Sequence, residues 1–189
     1  MSDRFQAKLI SGGHKGTEAE FGRNAERWRI QEVTLSYEGH AMERSGEVEV
    51  LDDADLARGD VSMEIVFQRL GRSFHRGHGI RRVLQSMFHV VTRGDHLFAV
   101  GWIQPDGTVR GGTGWGIELA KFFNREVSVF DQDKEAWFDW RDGHWQPSEP
   151  TIPDRAFAAT GTRNLSDAGR TAIRELFERS FGPPADAED

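Results

Sequence analysis

The 189-residue chain contains no cysteine, which excludes disulfides, thiolate metal centres and a cysteine nucleophile. It has no apolar run near the roughly 18 residues that suggest a bilayer span, so a soluble protein without membrane partners is expected. The opening Met1-Ser2-Asp3-Arg4 lacks a basic segment followed by an apolar region, so no secretory signal is expected and a cytoplasmic location is. Positive charge is in deficit, with 24 Lys+Arg against 31 Asp+Glu and a net charge of −7. That balance argues against a general nucleic-acid binder, whose footprint is an excess of basic residues.

What is present is glycine, 21 residues in clusters without a period. Collagen-like and linker compositions are excluded, and special loops are implied. Lys8-Leu9-Ile10-Ser11 is a short apolar run that ends in Gly12-Gly13-His14-Lys15-Gly16, and Thr17 stands where it can cap a helix carrying Ala19, Phe21, Ala25 and Trp28. Residues 30–37 read as a second strand, completing a β-α-β unit. Residues 41–62 are polar, with room for a short strand at Val48-Glu49-Val50 and a helix starting near Asp53.

From Ile80, the positions Val83, Leu84, Met87, Phe88 and Val91 fall on one helical stripe. The apolar run His96 to Ile103 has the character of a strand buried on both faces. A second glycine loop, Gly111-Gly112-Thr113-Gly114, precedes a helix from Trp115 to Asn124, and 126–131 is another strand. Aromatic residues on both sides of Asp142-Gly143 predict a β-hairpin. A last strand at 155–160, the turn Gly161-Thr162-Arg163 and a helix capped by Ser166 complete the pattern. Three strand–glycine turn–helix units place their loops on the carboxyl edge of one sheet. The expected fold is therefore a single Rossmann-like α/β domain over residues 1–182, three-layered, with a mostly parallel central sheet and an acidic tail at 183–189.

Backbone amides of Gly12, Gly13 and Gly16 can approach an anion at a helix start, and Lys15 adds a point charge. A tight structural turn explains the same glycines equally well. The loop Gly111-Gly112-Thr113-Gly114 concentrates glycine at a helix start and is a second candidate for phosphate contacts, with Glu118 one turn inside, where a carboxylate can bond ribose hydroxyls or simply complement the helix dipole. Between Ile65 and Gly94 lie six arginines and no acidic residue. Arg81, Arg82 and, further on, Arg163 are candidate phosphate contacts, although a basic face paired with acidic surface accounts for the stretch as well. His75-x-x-His78 lies inside this basic stretch, a poor environment for a divalent cation, so no metal site is expected.

Gly-Gly-x-Gly-x-x-x-Glu after an apolar strand, Gly111 to Glu118, resembles the signature of LOG-type phosphoribohydrolases. Arg110 stands where that signature has proline and Trp115 where it has threonine. Leu9-Ile10-Ser11-Gly12-Gly13-x-x-Gly16, together with Gly111-Gly112-Thr113 and Val127 to Asp131, resembles still more the molybdenum-carrier family, a LOG relative in the SLOG superfamily. The likeness covers roughly residues 7–28 and 95–140, and more loosely 155–181. It implies a nucleotide or other phosphate-bearing ligand on the carboxyl edge, a homodimer or higher homo-oligomer, and by resemblance alone a molybdenum cofactor as cargo. For the enzyme branch it implies Glu118 and Arg82 as catalytic residues cleaving an N-glycosidic bond of a nucleoside monophosphate. Three functional classes stay open: a ligand sensor or carrier, a phosphoribohydrolase, and a scaffold whose loops hold nothing.

Overall fold

Apolar and β-branched residues in short runs form the central strands, which bury both of their faces, while the edge strands are partly or wholly exposed. A computed structural model describes residues 5–71 and 78–184. In chain order it contains β1 (Lys8–Ser11), α1 (Thr17–Arg27), β2 (Gln31–Ser36), β3 (Glu47–Val50), α2 (Asp53–Ala57), α3 (Asp60–Leu70) and α4 (His78–Arg93). These are followed by β4 (His96–Gly101), α5 (Thr113–Phe122), β5 (Glu126–Asp131), β6 (Ala136–Arg141), β7 (His144–Ser148), β8 (Ala156–Gly161) and α6 (Asp167–Phe181). The strands form one eight-stranded sheet in the order β3-β2-β1-β8-β4-β5-β6-β7. The first six run parallel, and β6 and β7 close one edge as an antiparallel hairpin.

Alternation along each strand divides the core into two layers. Leu9, Phe98, Val100, Phe157 and Ala159 face α1 and α6, where they meet Phe21, Ala25, Ile173 and Phe177. Ile10, Leu97, Ala99 and Ala158 face the other side, against Met63, Phe67, Leu84, Val91, Ile117 and Leu119 of α3, α4 and α5. The result is the expected three-layer, Rossmann-like architecture. From β1 the chain passes through α1 to β2 on one side, and from β4 through α5 to β5 on the other. The last strand, β8, inserts between β1 and β4. A crevice forms at the carboxyl ends of parallel strands where the winding direction reverses.

Several local expectations are met. Ser166 caps α6, its hydroxyl accepting from the Gly169 amide at 3.0 Å, and the hairpin turns on Asp142 and Gly143, both at positive φ. Leu84, Met87 and Val91 of the α4 stripe are buried in the chain's own core, while Ile80 at its start is 58% exposed. Other details differ. Thr17 does not cap α1: Gly16 holds that position, and the Thr17 hydroxyl donates instead to the Thr162 carbonyl at 3.0 Å because α1 begins against the β8 exit. Helix α5 begins two residues before the expected start and ends at Phe122, with Asn124 in the left-handed region as its stop. Helix α3 begins inside the polar stretch 41–62, which its sequence does not announce because its apolar residues do not form a clean stripe. Arg72, His75, Arg76 and the tail 185–189 lie outside the described residues.

Two glycines separate packing from openness. Gly13 has φ +67, and a Cβ there would meet the Arg44 carbonyl, whereas a Cβ on Gly112 would meet nothing within 4 Å. Gly112 also has φ −62 and ψ −32, which any residue adopts. Gly13→Ala should lose on the order of 1–3 kcal/mol, while Gly112→Ala should stay within about 0.5 kcal/mol of the parent. Urea unfolding of both variants tests the contrast; equal stabilities would contradict it.

Candidate functional site

The loop after β1 is organised by a carboxylate from its own helix. Glu18, the second residue of α1, is only 6% exposed. Its Oε2 accepts from the amides of Gly12 and His14, both at 3.1 Å, and from His14 Nδ1 at 2.9 Å. Its Oε1 accepts from the Thr160 hydroxyl of β8 at 3.2 Å. The Gly13 amide donates to Ser11 Oγ at 3.2 Å, and the Gly13 carbonyl accepts from the amides of Glu43 and Arg44. Two amides that a glycine loop offers to an anion thus already hold one, and the position in the first turn of α1 favours its charge. Burial works to raise the Glu18 pKa, but the charge and hydrogen bonds of His14 with the Thr160 bond outweigh it and hold the carboxyl below 4.5.

His14 continues this arrangement outward. Its Nε2 lies 3.0 Å from Nε2 of His40, the residue that follows the turn after β2. His40 Nδ1 is 3.3 Å from Ser36 Oγ, and the His40 ring stacks on Tyr37 at 4.5 Å with 17° between planes. Burial opposes charge on His14, yet the Glu18 charge and hydrogen bond together raise its pKa above 6.5. Burial, then the neighbouring His14, push His40 down to about 4.

His14, Tyr37 and His40 form one wall of a cleft of ≈ 380 Å³, completed by Glu38, Gly39, Ala41, Arg82, Val83 and Arg163. Arg82, at the start of α4, donates to the Glu38 carbonyl at 3.0 Å and to Asp53 Oδ1 at 3.1 Å. Arg163, just beyond β8, is exposed and has no hydrogen bond or ion pair among the described residues. Two cations and two imidazoles therefore border the cleft, and its one lining carboxylate, Glu38, is exposed, with its Oε2 3.9 Å from Arg82 Nη1.

Of the residues singled out by sequence, Arg82 and Arg163 come together here, with Gly12 and Gly13 behind His14. Gly16 is the N-cap of α1 and packs against the backbone of Thr162 and Arg163. Lys15 is exposed outside the cleft lining. Arg81 pairs with Asp60 at 2.9 Å. Gly111, Gly112, Thr113 and Gly114 form the start of α5 and are not among the lining residues. Glu118 is likewise outside the lining, paired at 2.8 Å with Lys121, whose ammonium sits 3.5 Å from the Trp140 ring centre. Much of the basic stretch is matched by acidic residues of the same chain, Arg93 with Glu49 as well as Arg81 and Arg82. Among the described residues, no group of three or more His, Cys, Asp or Glu side chains could hold a metal ion, and no helix is long and apolar enough to cross a membrane.

Sequence reasoning passed over His14, Glu18, Tyr37 and His40. A signal did exist: His14 and Glu18 stand four apart across a helix start, and His40 follows a strand whose carboxyl end borders β1.

The imidazoles should titrate far apart. Histidine NMR should place His14 above 6.5 and His40 near 4, and Glu18→Gln should lower the His14 value by removing its charge partner. An unchanged His14 titration in Glu18→Gln would refute the pairing. The linkage signs also differ. His14, raised when folded, stabilises below 6.5 and loses this as pH rises through its folded pKa. His40, lowered when folded, costs stability as pH falls from 6.5 toward 4.

No protein-family model matches the chain, and no curated protein matches it. Among solved structures it is similar to the crystal structure of a "Putative molybdenum carrier protein" from Syntrophus aciditrophicus SB. The identity is 14%, the match covers 90% of this chain and 92% of that one, and the TM-score is 0.54. The likeness at this identity is one of fold, a Rossmann-like α/β domain matched over nearly its whole length.

Proposed function

We propose that the protein is a sensor or carrier that binds a phosphate-bearing small molecule, a nucleotide or nucleotide derivative, in the cleft between the ends of β1, β2 and β8. The observation that carries this reading is Arg163, a guanidinium free of ion pairs among the described residues, on a cleft it shares with Arg82, His14 and His40. Forked guanidinium donors suit phosphate oxygens. The volume of ≈ 380 Å³ falls within the roughly 300–1,000 Å³ of small-ligand sites. The Tyr37 and His40 rings give the wall an aromatic surface beside the charges.

The name of the structural neighbour, a molybdenum carrier, is compatible with this chemistry. Arginine and imidazolium N–H groups suit an oxyanion, or the phosphate of a pterin cofactor, and such a cofactor would be held here through its anionic groups by Arg82 and Arg163. The glycine loop at the start of α5 remains a second proposed contact on the same edge, with Glu118 offering ribose hydroxyls the acceptor sites that its Oε1 bond to Lys121 leaves.

A thermal-shift and calorimetric panel of nucleoside monophosphates, inorganic phosphate and molybdate tests the reading. A ligand at a hundred times its Kd adds about 2.7 kcal/mol of stability. Arg163→Gln should weaken the strongest ligand by about tenfold or more, the worth of a charged hydrogen bond. Gly112→Val, whose Cβ has open space, reports on the α5 loop. Loss of binding in Gly112→Val with full affinity in Arg163→Gln would move the ligand to α5; no binding by any compound would end the proposal.

A further inference from the structure

The His14–His40 contact is a constraint on proton number. Glu18 accepts from four donors and is held ionised, so His14 Nδ1 carries a hydrogen and donates it. The facing Nε2 atoms, 3.0 Å apart, can then share a single hydrogen. Either His40 donates to a neutral His14, or an imidazolium His14 donates to a neutral His40. Ser36 Oγ follows in both cases, because a hydroxyl donates or accepts by rotation. These two arrangements differ by one proton; a further proton on the second, imidazolium arrangement places N–H groups on both facing atoms, and the contact has to open.

The groups facing the pair are Glu18 from α1, Ser36, Tyr37 and Glu38 from the end of β2, Arg163 from beyond β8 and Arg82 from α4, itself paired with Asp53. Near neutral pH the second proton is opposed by burial of His40, then by His14 and Arg163. A ligand bringing two negative charges into the cleft reverses that balance.

Building on the anion-binding reading above, we propose that the cleft selects a dianionic tetrahedral oxyanion, free or as a terminal phosphate monoester, by taking up one proton with it. The His14–His40 contact opens and His40 turns its Nε2–H onto the ligand. The opposite pKa displacements of the two rings, His14 upward and His40 to about 4, fit a pair holding one proton fewer than it can accept. A phosphodiester or other monoanion supplies half the compensating charge and is bound more weakly.

The test is calorimetry with sodium sulfate, which keeps its two charges across the range, from pH 8 to 5 in buffers of differing ionisation enthalpy. Affinity should rise as pH falls, by up to ~tenfold per pH unit where one proton is linked, with buffer-dependent heats giving an uptake near one proton. His40→Gln should abolish the pH slope and the proton uptake while retaining weaker binding; Arg163→Gln should weaken binding at every pH and keep the uptake. Adenosine monophosphate at pH 7.5, against adenosine and sulfate, identifies the source. Binding tighter than sulfate with no adenosine binding assigns a phosphate monoester, and binding no tighter assigns the free oxyanion. Sulfate binding that ignores pH and buffer would overturn the proton coupling and leave the anion site intact. Absence of binding by sulfate and by adenosine monophosphate at any pH would overturn both.

Discussion

A carboxylate buried in the first turn of α1 governs the functional edge of this protein. Desolvating a charge costs several kcal/mol unless partners replace its water, and Glu18 obtains four: two loop amides, the His14 ring and the Thr160 hydroxyl. These partners come from the loop after β1 and from β8, so the one interaction fixes the loop, seats α1 against the sheet and aims His14. The anion-binding geometry of a glycine loop at a helix start is here turned inward. The groups left facing the cleft in front of the loop are side chains, His14, His40, Arg82 and Arg163.

Charge is distributed accordingly. The chain is acidic overall, yet its basic stretch is spent largely on its own acidic neighbours, with Arg81, Arg82 and Arg93 meeting Asp60, Asp53 and Glu49. Those pairs tie α4 to α2, α3 and β3, and they hold Arg82 with its guanidinium beside the cleft. Arg163 belongs to another segment, just past β8, where no acidic partner reaches it among the described residues. Local positive potential therefore survives on a surface of net negative charge, and such a potential favours a compact anion over a long polyanion.

The architecture was far more legible than the cleft. Strands buried on both faces read as continuous apolar runs, so β1, β2, β4, β5 and β8 stand within two residues of where their runs place them. The Asp142-Gly143 turn and the Ser166 cap were equally local. Gly13 and Gly16 were ambiguous for a physical reason: each admits a close backbone neighbour, Arg44 in one case and Thr162 in the other, and approach of a ligand to the backbone calls for the same residue type. The cleft itself gathers positions 14, 37–41, 82–83 and 163. Only the insertion of the last strand, β8, between β1 and β4 brings Arg163 to His14, and no local pattern encodes a neighbour almost 150 residues away.

The aromatic hairpin bears on how a motif should be read. Lys121 stands over Trp140 at 3.5 Å and Trp145 at 5.0 Å while binding Glu118 at 2.8 Å, so the acid lies in a cation–π cluster that fastens α5 to β6 and β7. Burial lowers the Lys121 pKa against the pull of Glu118, as expected where two charges offset each other's desolvation. Glu118 thus takes part in a packing interaction within this chain. The same spacing of glycines and carboxylate in another protein could serve a ligand, because fold and spacing position a group while its partners decide its chemistry. By that criterion Glu118 is a group already partnered, whereas Arg163, at the edge shared by β1, β2 and β8, carries its charge without an ion pair among the described residues.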